Sequence, residues 1–420
     1  MTHPDEATHQ LDLLTWPIFH AMTRRGILVS FDRLQELRDD ASKQLAVQLD
    51  FCREMIGDPE FNPSSSAQVA SWLERERLFT GKFTAGGLPA TDERSLAKFD
   101  HPIVKAILDA RGLNKLIGTF IDPVWEIAKR ELFRVEYGVV HPRWKLTRVR
   151  SGRIACEDPN LLAFPSRDAM GKKIRSCFVP RPGYLFLSVD FSQLEPRIVA
   201  ALSQDPKLLD IYLNNKDLYT SIAADLGVSR TAAKVITLGV LYGMMAKRLY
   251  EQLILSGAVD ANGLPIFDEQ QCGELIEKWF ATYTGVKKLV NATLAKARQQ
   301  DGWARTLNGR GRFLPGLFCE GERWPASKVR EEAERQAFNH LVQGSGMEML
   351  REAMARVVDW VPQAYLLLAI HDELVLEVPE DCAPECQGMI QNAMETEIGV
   401  PVSVCLKTSA SLGRDWGSLK

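Results

Sequence analysis

No run of the 420-residue chain approaches the roughly 18 consecutive apolar residues of a membrane span, so a transmembrane helix is not expected. Nor is there a basic surplus. The 51 Lys and Arg are offset by 54 Asp and Glu, for a net charge of −3. That excludes a uniformly cationic coat for nucleic acid, but not a local basic groove. No CxxC pair occurs among the eight cysteines at 52, 156, 177, 272, 319, 382, 386 and 405. Cys382 and Cys386 stand closest, without a second pair or a histidine cluster to complete a zinc site, so the cysteines read as reduced cytoplasmic thiols. The opening MTHPDEATHQLDLL lacks the basic-then-apolar pattern of a secretory signal. No internal repeat or low-complexity tract is visible.

What is present suits a globular chain with a large core. Hydrophobic residues make up 45% and charged residues 25%, and the length predicts roughly three units. Residues 31–57 carry apolar positions at helical spacing and end in Gly57, which predicts a long amphipathic helix. FNPSSSAQVASWLERERLF reads as a Ser-rich loop capping a second helix, TAGGLPATDERS as a surface loop, and residues 95–133 return to helical periodicity. Residues 129–181 hold 13 Lys or Arg against five Asp or Glu, the steepest basic excess in the chain. A solvated basic face is the ordinary reading of such a run; its place just before a strand ending in Asp190 favours a phosphate-tracking surface. Residues 193–300 read as mostly helical, broken near SGAVDANGLPIFD. GWARTLNGRGRFLPG reads as a Gly-rich loop or hairpin, and a charged helix begins near Ser327.

Three constellations carry chemistry. In YLFLSVDFSQLEPR a buried strand runs into Asp190, and an ionised carboxylate there is costly unless something pairs with it; a metal ion is a natural remedy. Ser192 and Glu195 have capping-box spacing, with Pro196 in the first helical turn. In AYLLLAIHDELVLEVPE two strands meet at a turn bearing His371, Asp372 and Glu373. Asp190 and Asp372 stand 182 positions apart. Side by side in one sheet they would form a platform for two Mg²⁺ ions roughly 4 Å apart, one activating an attacking oxygen and one steadying the departing one. In SRTAAKVITLGVLYGM, Ser229 is an N-cap candidate, and Arg230, Lys234, Leu238 and Tyr242 recur every four residues along one face. Two cations near a helix N-terminus attract polyphosphate, although an amphipathic helix with a solvated basic start reads the same way.

With these residues in hand, the chain resembles the polymerase portion of family A DNA polymerases, the bacterial DNA polymerase I type. VDFSQLEPR is similar to that family's motif A, RTAAKVITLGVLYG to motif B, and IHDELVLEVP to motif C. SGRIACEDPNLLAFP and RQAFNHLVQGSG resemble two further family segments, and the order agrees along nearly the whole chain. The resemblance implies an α+β, right-hand polymerase fold with an antiparallel-sheet palm, helical thumb and helical fingers. The implied domains are 1–30 N-terminal palm segment, 31–140 thumb, 141–195 palm with motif A, 196–331 fingers and 332–420 palm with motif C. It implies template-directed DNA synthesis by two-metal phosphoryl transfer from deoxynucleoside triphosphates to a primer 3′-hydroxyl. Asp190 and Asp372 would bind two Mg²⁺ ions, with Mn²⁺ as a substitute; Glu373 and Lys234 would complete the catalytic set. Arg230, Lys234, Leu238, Tyr242, Glu195, Tyr219 and Gln193 would contact the deoxynucleotide, Glu195 excluding a 2′-hydroxyl. Arg153, Asn160, Arg167, Arg335, Asn339, Gln343 and His371 would contact primer–template DNA.

The sequence also departs from the family. Leu238 stands where members usually carry Phe or Tyr and cannot stack as a ring does, so altered nucleotide selection, dideoxynucleotides included, is expected. Tyr219 replaces a common histidine near the triphosphate, Leu162 and Ala163 replace a Gln-Asn pair, and Pro196 replaces a leucine. The thumb pattern begins within about 30 residues of Met1, too few for a nuclease domain, so neither 3′→5′ nor 5′ nuclease activity is expected. A phage or other mobile element, or a truncated version of a longer polymerase, would suit so compact a chain. The expectation is a cytoplasmic monomer (in the bacterial host, if phage-encoded) with no membrane partner, working with a separate exonuclease or replisome proteins. Two rivals are a single-subunit RNA polymerase, disfavoured by Glu195, and a catalytically inactive DNA-binding accessory protein, which has no need of paired carboxylates.

Overall fold

Ser30 accepts the Arg33 N–H through its hydroxyl and opens the Phe31–Ile56 helix. Gly57, at φ 73°, closes it by returning its N–H to the carbonyls of Arg53 and Glu54. Ser65 likewise caps Ser66–Arg75, so both helices expected in this stretch form where their caps place them. This computed structural model describes residues 6–84, 86–166, 169–258, 266–321, 325–396 and 404–419. Contacts divide the chain into two compact units, each built from non-contiguous segments.

One unit comprises Arg25–Arg143, Glu157–Phe186 and Gly413–Lys420. Its helices Phe31–Ile56, Ser66–Arg75, Glu93–Leu96 and Pro102–Lys115 bury Cys52, Trp72, Leu73, Leu96 and Ile107 together. Pro102–Lys115 widens into a π-helical turn, Leu116–Ile121, before Asp122–Ala128. A four-stranded sheet in the order Leu132–Arg134, Tyr137–Val140, Ile27–Ser30, Phe178–Val179 completes it. Many cations of the basic stretch are engaged internally. Arg175 lies over the Trp416 ring at 4.3 Å and donates to the Phe164 carbonyl. Lys173 pairs with Asp40, and Arg143 with Asp158. Arg181 donates to the carbonyls of Arg25 and Gly26. Net charge counted along a sequence does not reveal these partners: Arg175 is buried, whereas Lys173 and Arg143 stay more than half exposed beside their carboxylates.

The other unit comprises Met1–Arg24, Trp144–Cys156 and Leu187–Leu412. Its sheet has the order Tyr365–Ile370, Glu373–Pro379, Tyr184–Phe191, Thr408–Gly413. The first two strands pair antiparallel across the His371–Asp372 turn, with an irregularity between Leu366 and Leu368. Helices from Leu194–Ser203 to Thr284–Gln299 bury Ile236, Trp279, Tyr283 and Val286 in one cluster. GWARTLNGRGRF forms the hairpin Trp303–Arg305/Gly311–Phe313. The charged helix runs over Ala326–Asn339, passes through a π-helical turn, His340–Gly344, and continues as Ser345–Trp360.

A buried ionic network braces this unit. Arg351 is wholly buried, donates to the Thr15 hydroxyl and lies 2.6 Å from Asp12. Arg310 reaches Asp12 at 2.7 Å and Glu348 at 3.4 Å. Burial alone would raise the Asp12 carboxyl; the bonds and charges of Arg310 and Arg351 outweigh it and hold the group below its usual range.

Candidate active site

Both faces of the strand are covered, so Phe186, Leu187, Ser188 and Val189 are buried in succession, and Asp190 is half-buried next to the strand's end. The neighbouring strand begins at Glu373, with Asp372 half-buried just before it. The Phe191 N–H donates to the Asp372 carbonyl at 3.1 Å, so the two aspartates occupy adjacent ends of one sheet. Glu373 itself turns inward: it is 5% exposed and accepts a hydrogen bond from the buried Ser188 hydroxyl. Two left-handed residues flank the pair, Gln193 and His371, both at φ 58°. That conformation is uncommon for residues other than glycine, and five further examples, Arg77, Asp158, Gln204, Asn215 and Asp301, lie elsewhere in the chain.

Glu195 sits beside the carboxylates, but not through a capping box. Gln193, not Ser192, is the N-cap of Leu194–Ser203 and makes no side-chain cap bond. Its left-handed backbone starts the helix one residue late, which moves Glu195 to the second helical position and releases its side chain from capping. Pro196 then falls in the first turn, where a missing N–H is harmless. The Glu195 carboxylate instead accepts from the Tyr242 hydroxyl at 2.5 Å and meets Arg153 at 3.4 Å. Burial, then Glu195, pushes the Tyr242 phenol well above its usual range, so it stays a donor. Asp372 also acts on that phenol. Burial lowers the His371 imidazole, with Arg153 adding to the effect and Glu373, Glu195 and Asp190 opposing it. One site therefore gathers Asp190, Asp372, Glu373, Glu195, Arg153, Tyr242 and His371.

Ser229 caps Arg230–Leu241 as expected, accepting from the Ala232 N–H. Arg230 and Lys234 lie exposed on the first turns, Leu238 is half-buried and Tyr242 ends the helix. The cationic groups of Arg230 and Lys234 stand 5.7 and 5.9 Å from the centre of the Tyr219 ring. Sequence reasoning missed Asp217, which caps Leu218–Leu226 and grips Arg230 with both oxygens. A D-x-x-T pattern ahead of an apolar run signals the cap but not the arginine.

The remaining candidates are dispersed. Asn339 donates to the Tyr242 carbonyl at 3.5 Å, and Gln343 lies half-buried in the π-helical turn. Arg335 pairs with Glu332 and packs close to Gly243. Gln193 accepts from the Tyr212 hydroxyl. Asn160 is exposed in the other unit, and Arg167 lies outside the described residues.

Comparison with known proteins decides the family. The model for DNA polymerase family A matches residues 31–418. The chain belongs to DNA polymerase family A. It is 34% identical over 410 residues to the thermostable DNA polymerase I of Thermus filiformis, covering 94% of this chain and 46% of that protein. Identity to the DNA polymerase I of Deinococcus radiodurans is 31% over 419 residues, covering 95% and 41%. The chain thus spans less than half the length of these relatives. Its mixed helix and antiparallel-sheet fold matches the POL domain of Pol1 from M. smegmatis, solved in complex with DNA primer-template and dNTP. The TM-score is 0.84 at 27% identity, over 97% of this chain and 70% of that one. The α+β fold expected from the motifs is therefore the observed one.

Family A polymerases generally depend on divalent metal ions, and the two carboxylates here are compatible with that dependence. Among the described residues no three His, Cys, Asp or Glu converge as a protein-only metal cage. Two carboxylates at neighbouring strand ends are what magnesium needs when substrate phosphates and water complete its shell. None of the eight cysteines is in a disulfide. No helix among the described residues is long and apolar enough to cross a membrane.

Proposed function

We propose that this chain performs template-directed DNA synthesis, adding deoxynucleoside triphosphates to a primer 3′-hydroxyl. The observation that carries the reading is the adjacency of Asp190 and Asp372, linked by the Phe191–Asp372 backbone bond, in a chain of this family. Asp190 and Asp372 would hold two Mg²⁺ ions, for which Mn²⁺ substitutes. Bound there, the ions would supply Lewis-acid stabilisation of charge on the attacking and departing oxygens.

The chain's own residues do the rest by position and charge. Ser188 holds Glu373 behind the aspartates. Arg230 and Lys234, on the first turns of their helix, neutralise the incoming polyphosphate, where helix dipole and side-chain charge add. The Glu195 carboxylate, fixed by Tyr242 and Arg153, fills the space a 2′-hydroxyl would need and so selects deoxynucleotides. Asn339, Gln343, Arg335, Arg153 and His371 serve the primer–template duplex, as would Asn160 and Arg167. In this reading residues 31–140 are the thumb, 196–331 the fingers, and 1–30, 141–195 and 332–420 the palm.

Primer extension tests the proposal: templated product with dNTPs and Mg²⁺, and little with NTPs, is expected. Equal use of NTPs would favour an RNA polymerase, and binding of primer–template without extension would favour an accessory protein.

A further inference from the structure

The Arg230–Leu241 helix presents two cations, and only one of them is tethered with defined geometry among the described contacts. Arg230 Nε donates to Asp217 Oδ1 and Nη2 to Oδ2, both at 2.9 Å. This is the side-on, two-bond arrangement of a guanidinium and a carboxylate. We propose that Asp217 is a positioning residue for the incoming triphosphate: it fixes one edge of the Arg230 guanidinium so that the Nη1–Nη2 edge faces the terminal phosphates. The proposal rests on the polymerase reading above and deepens it.

Helix capping alone does not account for Asp217. The cap uses Oδ1, which accepts the Thr220 N–H at 2.8 Å and the Thr220 hydroxyl at 2.6 Å. Oδ2 takes no part in those two bonds, yet it bonds Arg230. Nor does stability account for the pair. Its side chains are 58% and 41% exposed, and exposed ion pairs contribute little to folding. What a planar two-bond contact supplies is direction, the property that separates Arg from Lys at phosphate sites. Tyr219 adds a floor: the ring is buried and lies 5.7 Å from the guanidinium carbon. The fork is thereby held on one edge by Asp217 and on one face by Tyr219, which reduces the rotamer freedom lost when phosphate binds.

The kinetic signature follows from where the terminal phosphate sits. Bond formation occurs at the α-phosphate and departing charge builds first on the α–β bridging oxygen, so a contact to the outermost phosphate changes less between ground and transition states than one at the reacting phosphate. Losing it mainly weakens binding, with a smaller effect on the chemical step.

The test uses Asp217→Asn and Asp217→Ser, which retain N-cap chemistry, alongside Arg230→Lys and the double variant. Single-turnover primer extension gives nucleotide affinity and maximal rate. Calorimetric titration of dNTP onto enzyme with 3′-deoxy-terminated primer–template gives affinity without turnover. Each Asp217 variant is expected to bind dNTP roughly five-fold more weakly, with maximal rate within about two-fold of wild type. Melting temperature and primer–template affinity should be unchanged, and Asp217→Asn should add nothing in the Arg230→Lys background. Unchanged or tighter dNTP binding, a loss confined to maximal rate, or full additivity with Arg230→Lys would overturn the assignment while wild-type extension still upheld the polymerase reading. A wild type that fails to extend would overturn both.

Discussion

Protonation of one buried histidine should set the acid stability of the unit that carries the site. His340 is fully buried in the π-helical turn His340–Gly344, between Asn339 and Gln343. Its Nε2 donates to the Arg310 carbonyl at 2.8 Å, so the neutral Nε2–H tautomer occupies the turn. Burial pushes its pKa down from 6.5 to about 4; the Arg310 carbonyl opposes this, and the charges of Arg312 and Arg310 add to it. Between those values the unfolded chain takes up a proton that the folded chain does not. The contribution is therefore fully present above about pH 6.5 and is lost as pH falls towards 4. The span from 6.5 to about 4, at about 1.4 kcal/mol per pH unit for one proton, amounts to about 3 kcal/mol. His340→Gln retains a donor for the Arg310 carbonyl and removes the titration. Urea unfolding followed by tryptophan fluorescence from pH 7.5 to 4 should show wild type losing about 3 kcal/mol more than the variant. Parallel curves for the two proteins would refute the reasoning.

Other consequences are equally direct. Tyr242→Phe deletes the hydroxyl that fixes Glu195, so discrimination against ribonucleotides should fall roughly ten-fold, about 1.4 kcal/mol, in competitive incorporation assays. Leu238→Phe restores a ring to the helix face beside Tyr242 and should change the dideoxy-to-deoxy incorporation ratio; identical ratios would show that position 238 does not touch the sugar. Asp12→Ala leaves Arg351 buried without its carboxylate and should cost about 3–5 kcal/mol in denaturant unfolding.

Much of the candidate site could be read from the sequence because its signals are local. Ser229 with an apolar run after it marks a helix start, and HDE between two apolar stretches marks a polar turn. Asp190 at the end of YLFLSVD marks a carboxylate on a strand end, and the structure puts it beside Asp372. What escaped is set by backbone detail or by partners far away in the chain. Nothing in SQLE reveals that Gln193 turns left-handed and frees Glu195 from capping. Asp217 and Arg230 lie on different helices, and Asp12 meets Arg351 across most of the sequence. No spacing rule reports such pairs. The basic stretch has a related limit: counting Arg175 as available charge ignores its burial against Trp416.

Single-turnover primer extension by Asp190→Asn and Asp372→Asn, with primer–template affinity measured in parallel, tests the central claim most directly. Each substitution keeps the side chain's shape and removes its charge. Extension should fall at least about 10³-fold, roughly 4 kcal/mol, in both variants while duplex binding stays within a few-fold of wild type. Wild-type extension rates in either variant would contradict the assignment of these two carboxylates to the reaction centre.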